Sequence, residues 1–405
     1  MNPKLRSLLF TSLSHFSVDG NFLLFPVLIT YYVEIPGLSI LVIGLMPVLY
    51  NLISGFLSIF VGSYADRADN DRVILSLGII LNAVAILIFS FPFVFKSQAY
   101  LIMILGSVVL GIGQSIYHPI GATVISYTFG RKESASYLGI NGSFGSLGRS
   151  VFPILFVFIA TVVGITMGLD YFVIYFLIVA VLVYYGLGFF KRKNFQSNFQ
   201  RDPRVADQTQ NGTSASFFIF ILVVIVFSRS MFISVSTTYI PTYLDSIFAS
   251  KTIMGVILGI AFFSAVLGQP FFGYLTSKYG GKFTITLTSI GLIVFFLMFL
   301  FLSRSFWSVL VSFTFFALFT YTGFPVLLGY VSQMVPKEHF TRANSLVWGI
   351  GSTIGGSVGL LLFDGLLVFK SMYQSFTIMI VFALASAILL VFLPGRKRRT
   401  AGSQL

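Results

Sequence analysis

The sequence predicts an all-α membrane protein: twelve transmembrane helices in two six-helix halves around a central cavity. The composition is the first sign. Of 405 residues, 57% are hydrophobic and 9% charged, with a mean hydropathy of +0.95, a balance that a water-soluble globule could not keep off its surface. The others are a ladder of long apolar runs and an internal repeat.

Runs of about twenty or more apolar residues, enough to cross a ~30 Å hydrocarbon core, lie near residues 6–33, 38–64, 73–95, 98–128, 134–160 and 164–190. A second set follows near 217–247, 252–277, 283–303, 305–333, 342–369 and 372–393. The first run contains His15 and Asp19 and lacks a typical cleavage site, so it is expected to be a spanning helix and not a signal peptide. The expected domains are an N-terminal half (1–190), a polar linker (191–216), a C-terminal half (217–395) and a basic tail (396–405).

Lys and Arg, counted by connector, orient the chain. One side of the membrane receives Lys4, Arg6, Arg67, Arg72, Arg131, Lys132, Lys191, Arg192, Lys193, Arg201, Arg204, Lys278, Lys282, Lys337, Arg342 and the run Arg396-Lys397-Arg398-Arg399. The other holds Lys96, Lys251, Arg304 and Lys370. Both termini and the linker are therefore expected in the cytoplasm of a cell with a plasma membrane as its bilayer. The net charge of +13 is accounted for by this orientation bias, so no nucleic acid partner is expected. No cysteine is present and there are three histidines, which excludes disulfides and thiol catalysis and leaves little for a metal or cofactor. The His-Glu-x-x-His metalloprotease pattern, a facing aspartate dyad and a serine elbow are all missing, so no enzyme is expected.

The halves resemble each other. Gly62-Ser63-Tyr64-Ala65-Asp66-Arg67 after the second helix matches Gly273-Tyr274-Leu275-Thr276-Ser277-Lys278 after the eighth, a basic residue standing five positions after each glycine. In the fifth and eleventh helices Leu147-Gly148-Arg149-Ser150-Val151 lies against Ile354-Gly355-Gly356-Ser357-Val358 at almost the same offset. Repeated six-helix halves joined by a polar linker are a transporter architecture, with the binding site near the membrane midplane between them.

The segment from Gly62 to Arg72 resembles the signature loop of the major facilitator superfamily, and that from Gly273 to Lys282 its degenerate copy. Within the superfamily the chain is most similar to the fosmidomycin resistance protein family. The likeness rests on Ser14-His15-Phe16-Ser17-Val18-Asp19 in helix 1, on Tyr117-His118-Pro119 in helix 4, and on Gly130-Arg131 with Asn141-Gly142-Ser143-Phe144-Gly145-Ser146-Leu147-Gly148 in helix 5. It implies a proton-driven exporter of a drug or metabolite. Two positions differ from that family's pattern: Ile120 stands where an acid follows the His-Pro pair, and Arg149 where a proline follows the Leu-Gly pair.

Ionisable side chains at bilayer depth cost at least ~2.5–3.5 kcal/mol each and need a partner or a wet cavity. Asp19 follows His15 by four residues, so both point to one helix face near mid-membrane. His118 is expected at about the same depth, with Gln114 one turn before it. Asp19, His15 and His118 are the candidates to carry or gate a coupling proton; the alternative is a fixed Asp19–Arg149 counter-ion pair with histidine struts. Arg149 and Arg229 stay charged. Together with Asp19 they leave one positive charge that an anionic substrate could fill through bidentate hydrogen bonds; otherwise one is satisfied by backbone carbonyls or snorkels to water. Gln114, Tyr117, Asn141, Tyr321 and Trp348 complete the expected substrate-binding set, although in a chain with 17% aromatics packing is the commoner role for any one of them.

Gly62, Asp66, Arg67, Arg72, Gly273 and Lys278 are expected to form cytoplasmic gates, and Asp364 is either an extracellular gate or an exposed surface acid. Glycines 139, 142, 145 and 148, and 349, 351, 355, 356 and 359, form smooth stripes along which helices pack or slide. The function that results is a proton-coupled antiporter, expected to act as a monomer and to export a small drug or metabolite, anionic if it fills the unpaired positive charge, with proton-coupled import of a small organic acid or other nutrient as the alternative. A channel or receptor suits the repeat less well.

Overall fold

A computed structural model of the chain describes residues 2–199, 212–302, 305–323, 326–327, 330–331 and 346–393. The basic tail and the middle of the linker, with Lys337 and Arg342, lie outside these residues. With no water in hydrocarbon to bond peptide groups, helices that satisfy their own backbone are the economical solution, and the described residues build twelve.

Helix α1 (Pro3–Tyr32) starts on an Asn2 cap, whose side chain accepts from the Lys4 amide. It is followed by α2 (Ile40–Ala68) and α3 (Asp71–Ser90). One helical run, Ala99–Val163, then carries two spans, Lys96–Gly130 (α4) and Ser136–Val163 (α5). They part at Gly130, whose φ of 71° and ψ of 175° suit a residue without a side chain. α6 (Ile165–Gly186) closes the first half.

The second half comprises α7 (Gly212–Phe248), α8 (Lys251–Tyr279), α9 (Gly281–Leu302), α10 (Phe306–Thr320), α11 (Gly355–Leu367, preceded by a π-helical stretch Val347–Ile354) and α12 (Met372–Leu389). Eleven of these spans are long and apolar enough to cross a bilayer, and α10 is a shorter apolar helix within the described residues. Phe158, Tyr185, Phe263 and Trp307 stand exposed on the outside of the bundle, where lipid would solvate them.

The start of the linker is structured, while residues 200–211 lie outside the described residues. Arg192–Phe199 forms a 3-10 turn held by ionic contacts that a reading of polarity alone does not reveal. Arg192 is buried and its guanidinium pairs with buried Asp71 at the start of α3, at 2.6 Å. The Arg192 amide donates to Asp69 Oδ1 at 2.7 Å, and Lys191 donates to the Asp69 carbonyl and Asn70 Oδ1. Phe195 stacks on Phe190.

Two seams join the halves, α2 against α11 and α5 against α8. The side on which the chain begins is termed here the near side, and the opposite side the far side. On the far side Lys251, at the start of α8, pairs with Glu34 beyond the end of α1 and with Asp245 at 3.3 Å. Ser150 Oγ donates to the Gly259 carbonyl at 2.6 Å, and Gly255 lies against Val157. Further in, Gln269 Nε2 donates to Ser146 Oγ at 2.7 Å, and Gly55 faces Thr353. One turn nearer the chain ends the contact stops. A methyl placed on Gly139, Gly273 or Gly349 would meet nothing within 4 Å. Among the described residues the halves meet on the far side and part toward the near side.

Candidate functional site

The residues singled out in α1, α4 and α5 converge. Asp19 and His15 lie on one face of α1, and His15 Nε2 stands 3.3 Å from Asp19 Oδ2. From α4, His118 Nε2 comes within 3.7 Å of Asp19 Oδ1. From α5, the Arg149 guanidinium lies 3.7 Å from Asp19 Oδ2 and donates to Ser146 Oγ at 3.1 Å. Asp19 and His15 are buried, with about a tenth of each side chain accessible, whereas 54% of the His118 side chain is open. The cluster therefore has a sealed floor and one wet member.

Two glycines allow this approach. A side chain at Gly145 would run into His15 and Asp19, at 2.5 and 2.7 Å, and one at Gly148 would run into the Phe16 carbonyl. The backbones of α1 and α5 touch there, which brings Arg149 to Asp19.

The orientation of His15 is fixed from behind. Its Nδ1 faces Asn141 Oδ1 at 2.8 Å, and the same oxygen accepts from the Tyr117 hydroxyl at 2.9 Å. The Asn141 amide nitrogen points to the Thr11 and Ser12 hydroxyls. An amide oxygen only accepts, so His15 Nδ1 carries a hydrogen. Its Nε2 then faces Asp19 Oδ2 at 3.3 Å, an ion pair when the ring carries a second proton, and Arg149 faces the same oxygen at 3.7 Å.

Tyr117 packs against His15 with ring centres 4.7 Å apart and planes tilted by 34°, and is 3% exposed. Gln114 is buried too, donating to the Val18 carbonyl at 3.1 Å and to Asn82 Oδ1 at 3.3 Å, so its amide ties α4 to α1 and α3. In the other half Tyr321 exchanges a hydrogen bond with Thr237 at 3.0 Å, packs on Phe262, and lies within electrostatic range of Arg149. Trp348 is 38% exposed in the π-helical stretch, where its carbonyl accepts from Thr353 Oγ1 at 3.1 Å.

Arg229 is placed apart from Asp19. It is buried in the C-terminal half, donating to Ser289 Oγ at 2.9 Å, Thr288 Oγ1 at 3.3 Å and the Phe319 carbonyl at 3.2 Å. Among the described residues no carboxylate lies within ion-pair distance of it. These partners are hydroxyls and a carbonyl, the second of the two arrangements open to a buried guanidinium.

Of the gate residues, Arg67 is exposed and the Asp66 side chain lies outside the described residues. Arg72 covers the Tyr184 ring at 4.8 Å, and Lys278 covers Tyr274 and Tyr279 at 5.5 and 5.2 Å. Gly62 lies within α2, and Gly273 faces open space. Gln269 escaped the sequence reading: it reaches from α8 to Ser146, which also receives Arg149, so the C-terminal half touches the charged cluster through one hydroxyl. It has no local pattern that marks it, since its role depends on which helix of the other half stands opposite. Asp364, read as either a gate or a surface acid, is 6% exposed and so is not a surface acid.

A membrane-embedded bundle of two similar halves with a polar cluster near mid-span is the construction of a secondary transporter. A family model described as Major Facilitator Superfamily matches residues 10–248 and again residues 219–404, and the chain belongs to that superfamily. It is similar to an "MFS-type transporter" from Gibberella moniliformis, 26% identical over 328 residues, which span 76% of this chain and 73% of the relative. Its fold is similar to the crystal structure of a bacterial homolog to the human lysosomal transporter Spinster, in an inward-facing and occupied conformation. The TM-score is 0.66 at 15% identity, covering 96% of both chains.

Proposed function

We propose that this protein is a proton-coupled antiporter of the plasma membrane, with both termini cytoplasmic, that exports a small anionic drug or metabolite. The observation that carries the reading is the His15–Asp19 pair. With Nδ1 committed to Asn141, the pair accommodates a proton in this geometry and cannot keep it if the two groups move apart. His118, wet and next to Asp19, is the route by which that proton reaches water. With the near side parted, that route leads to the cytoplasm on the proposed orientation. Export is supported by the likeness of the helix 1, 4 and 5 motifs to the fosmidomycin resistance protein family.

Antiport requires that a substrate seated against His118 and Arg149, with Tyr321 completing the wall from the other half, part His15 from Asp19, because the pair keeps its proton only while the two groups stay together. Arg229 is assigned to the same passage as a second anion contact, reached when α7 and α10 shift.

Reconstituted protein tests the proposal. Asp19→Asn is expected to abolish transport driven by a pH gradient while preserving counterflow exchange; unchanged gradient-driven flux would remove Asp19 as the proton site.

The charge of the cluster favours a second reading. An anion beside Arg149 stabilises a proton on the His15–Asp19 pair, which is the sign of coupling a symporter needs. Under that reading anion affinity rises as pH falls. Under antiport it falls.

A further inference from the structure

Asp364 lies in the outer third of α11, far from the Asp19 cluster, and is 6% exposed. Its Oδ1 accepts a hydrogen bond from the Tyr239 hydroxyl of α7. Its Oδ2 is buried with no partner. Directly over the pair sits the backbone of Gly44, in α2 of the opposite half, where even a methyl would collide with the Tyr239 hydroxyl and the Asp364 carboxylate. The carboxyl is thus sealed by closure of the α2–α11 seam.

The surroundings contain no charge to hold a carboxylate. α11 packs on α7, α2 and α12. α7 presents Tyr239; its Tyr243 is turned to Phe299 and Phe376, and its Asp245 to Lys251. α2 presents glycine backbone, α12 presents Phe376 against Phe363, and the π-helical stretch has no charged side chain. Among the described residues no cation lies within ion-pair distance of Asp364. An ionised carboxylate left unpaired at this depth costs several kcal/mol, whereas the neutral acid costs far less.

We propose that Asp364 is a second proton-binding site, separate from Asp19, that controls the far-side gate. The α2–α11 seam closes over the neutral carboxylic acid. When the halves part on the far side, water reaches the carboxyl, which gives its proton to that water. The resulting carboxylate cannot be buried again until a proton from the far side returns to it. Low pH on that side therefore favours the closed gate, and high pH favours the open one. This goes beyond the proton–substrate exchange assigned to Asp19 and does not require it.

The chain has no native cysteine, so a spin-label pair on exposed far-side positions, Ser97→Cys and Lys370→Cys, reports the gate alone. In nanodiscs the inter-label distance is expected to lengthen as pH rises in the parent protein. Asp364→Asn is expected to hold the short distance at every pH, and Asp364→Glu to restore the response. Tyr239→Phe, which keeps the carboxyl but loses its donor, should shift the transition toward lower pH. The response should also survive in an Asp19→Asn background, so failure of the Asp19 reading would leave it standing. A distance that does not change with pH in the parent, or that changes equally in Asp364→Asn, would overturn the proposal.

Discussion

Asn141 decides which nitrogen of His15 is free, and so decides what Asp19 faces. Asn141→Ala removes the acceptor that holds Nδ1–H, at a cost of about 1–3 kcal/mol for an unmet buried group. Proton-driven flux is expected to fall by roughly 5–150-fold while counterflow is retained; equal loss of both would mean that Asn141 only supports packing. Arg229→Ala is expected to raise the Michaelis constant for an anionic substrate far more than for a neutral one. An equal effect on both would assign its guanidinium to fastening α7 to α9 and α10. His15 and Asp19 were legible in the sequence because a four-residue spacing on one helix is a local fact. Their meeting with His118 and Arg149 was an expectation from depth alone. The role of Gln269 was not legible, because it is set by a partner on the other half of the chain, and for Asp364 the sequence left gate and surface acid open because its burial depends on the packing of α2 and α7 against α11.

At the scale of helices, glycine contacts mark where the seams end. Gly142 abuts Gln269 whereas Gly139, one turn on, meets open space, and Gly55 meets Thr353 whereas Gly349 meets nothing. In the cysteine-free chain, Gly139→Cys and Gly273→Cys should react quickly with a membrane-impermeant thiol reagent from the near side, and Gly259→Cys slowly from either side. Fast labelling of Gly259→Cys would contradict a closed far side. The number and order of helices were readable from hydropathy, since each span needs its own run of apolar residues. The 3-10 turn after α6 was not, because it depends on a buried ion pair formed across 121 positions. Asp71→Asn, which strands the Arg192 charge, should destabilise the protein by about 3–5 kcal/mol, read as a lower Tm. Pairing it with Arg192→Leu should recover part of the loss.

For the whole molecule, the repeated halves give the architecture, the basic bias of the connectors supports the proposed orientation, and among the described residues the seams part toward the chain ends. In the proposed mechanism a proton shared by His15 and Asp19 links state to transport. It can be weighed directly by adding a ligand, found by a thermal-shift screen over drugs and metabolic acids, to purified protein in weak buffer and recording the pH. The antiport account predicts release of about one proton per bound ligand in the wild type and none in Asp19→Asn. Proton uptake on binding, or a release undiminished in Asp19→Asn, would contradict it.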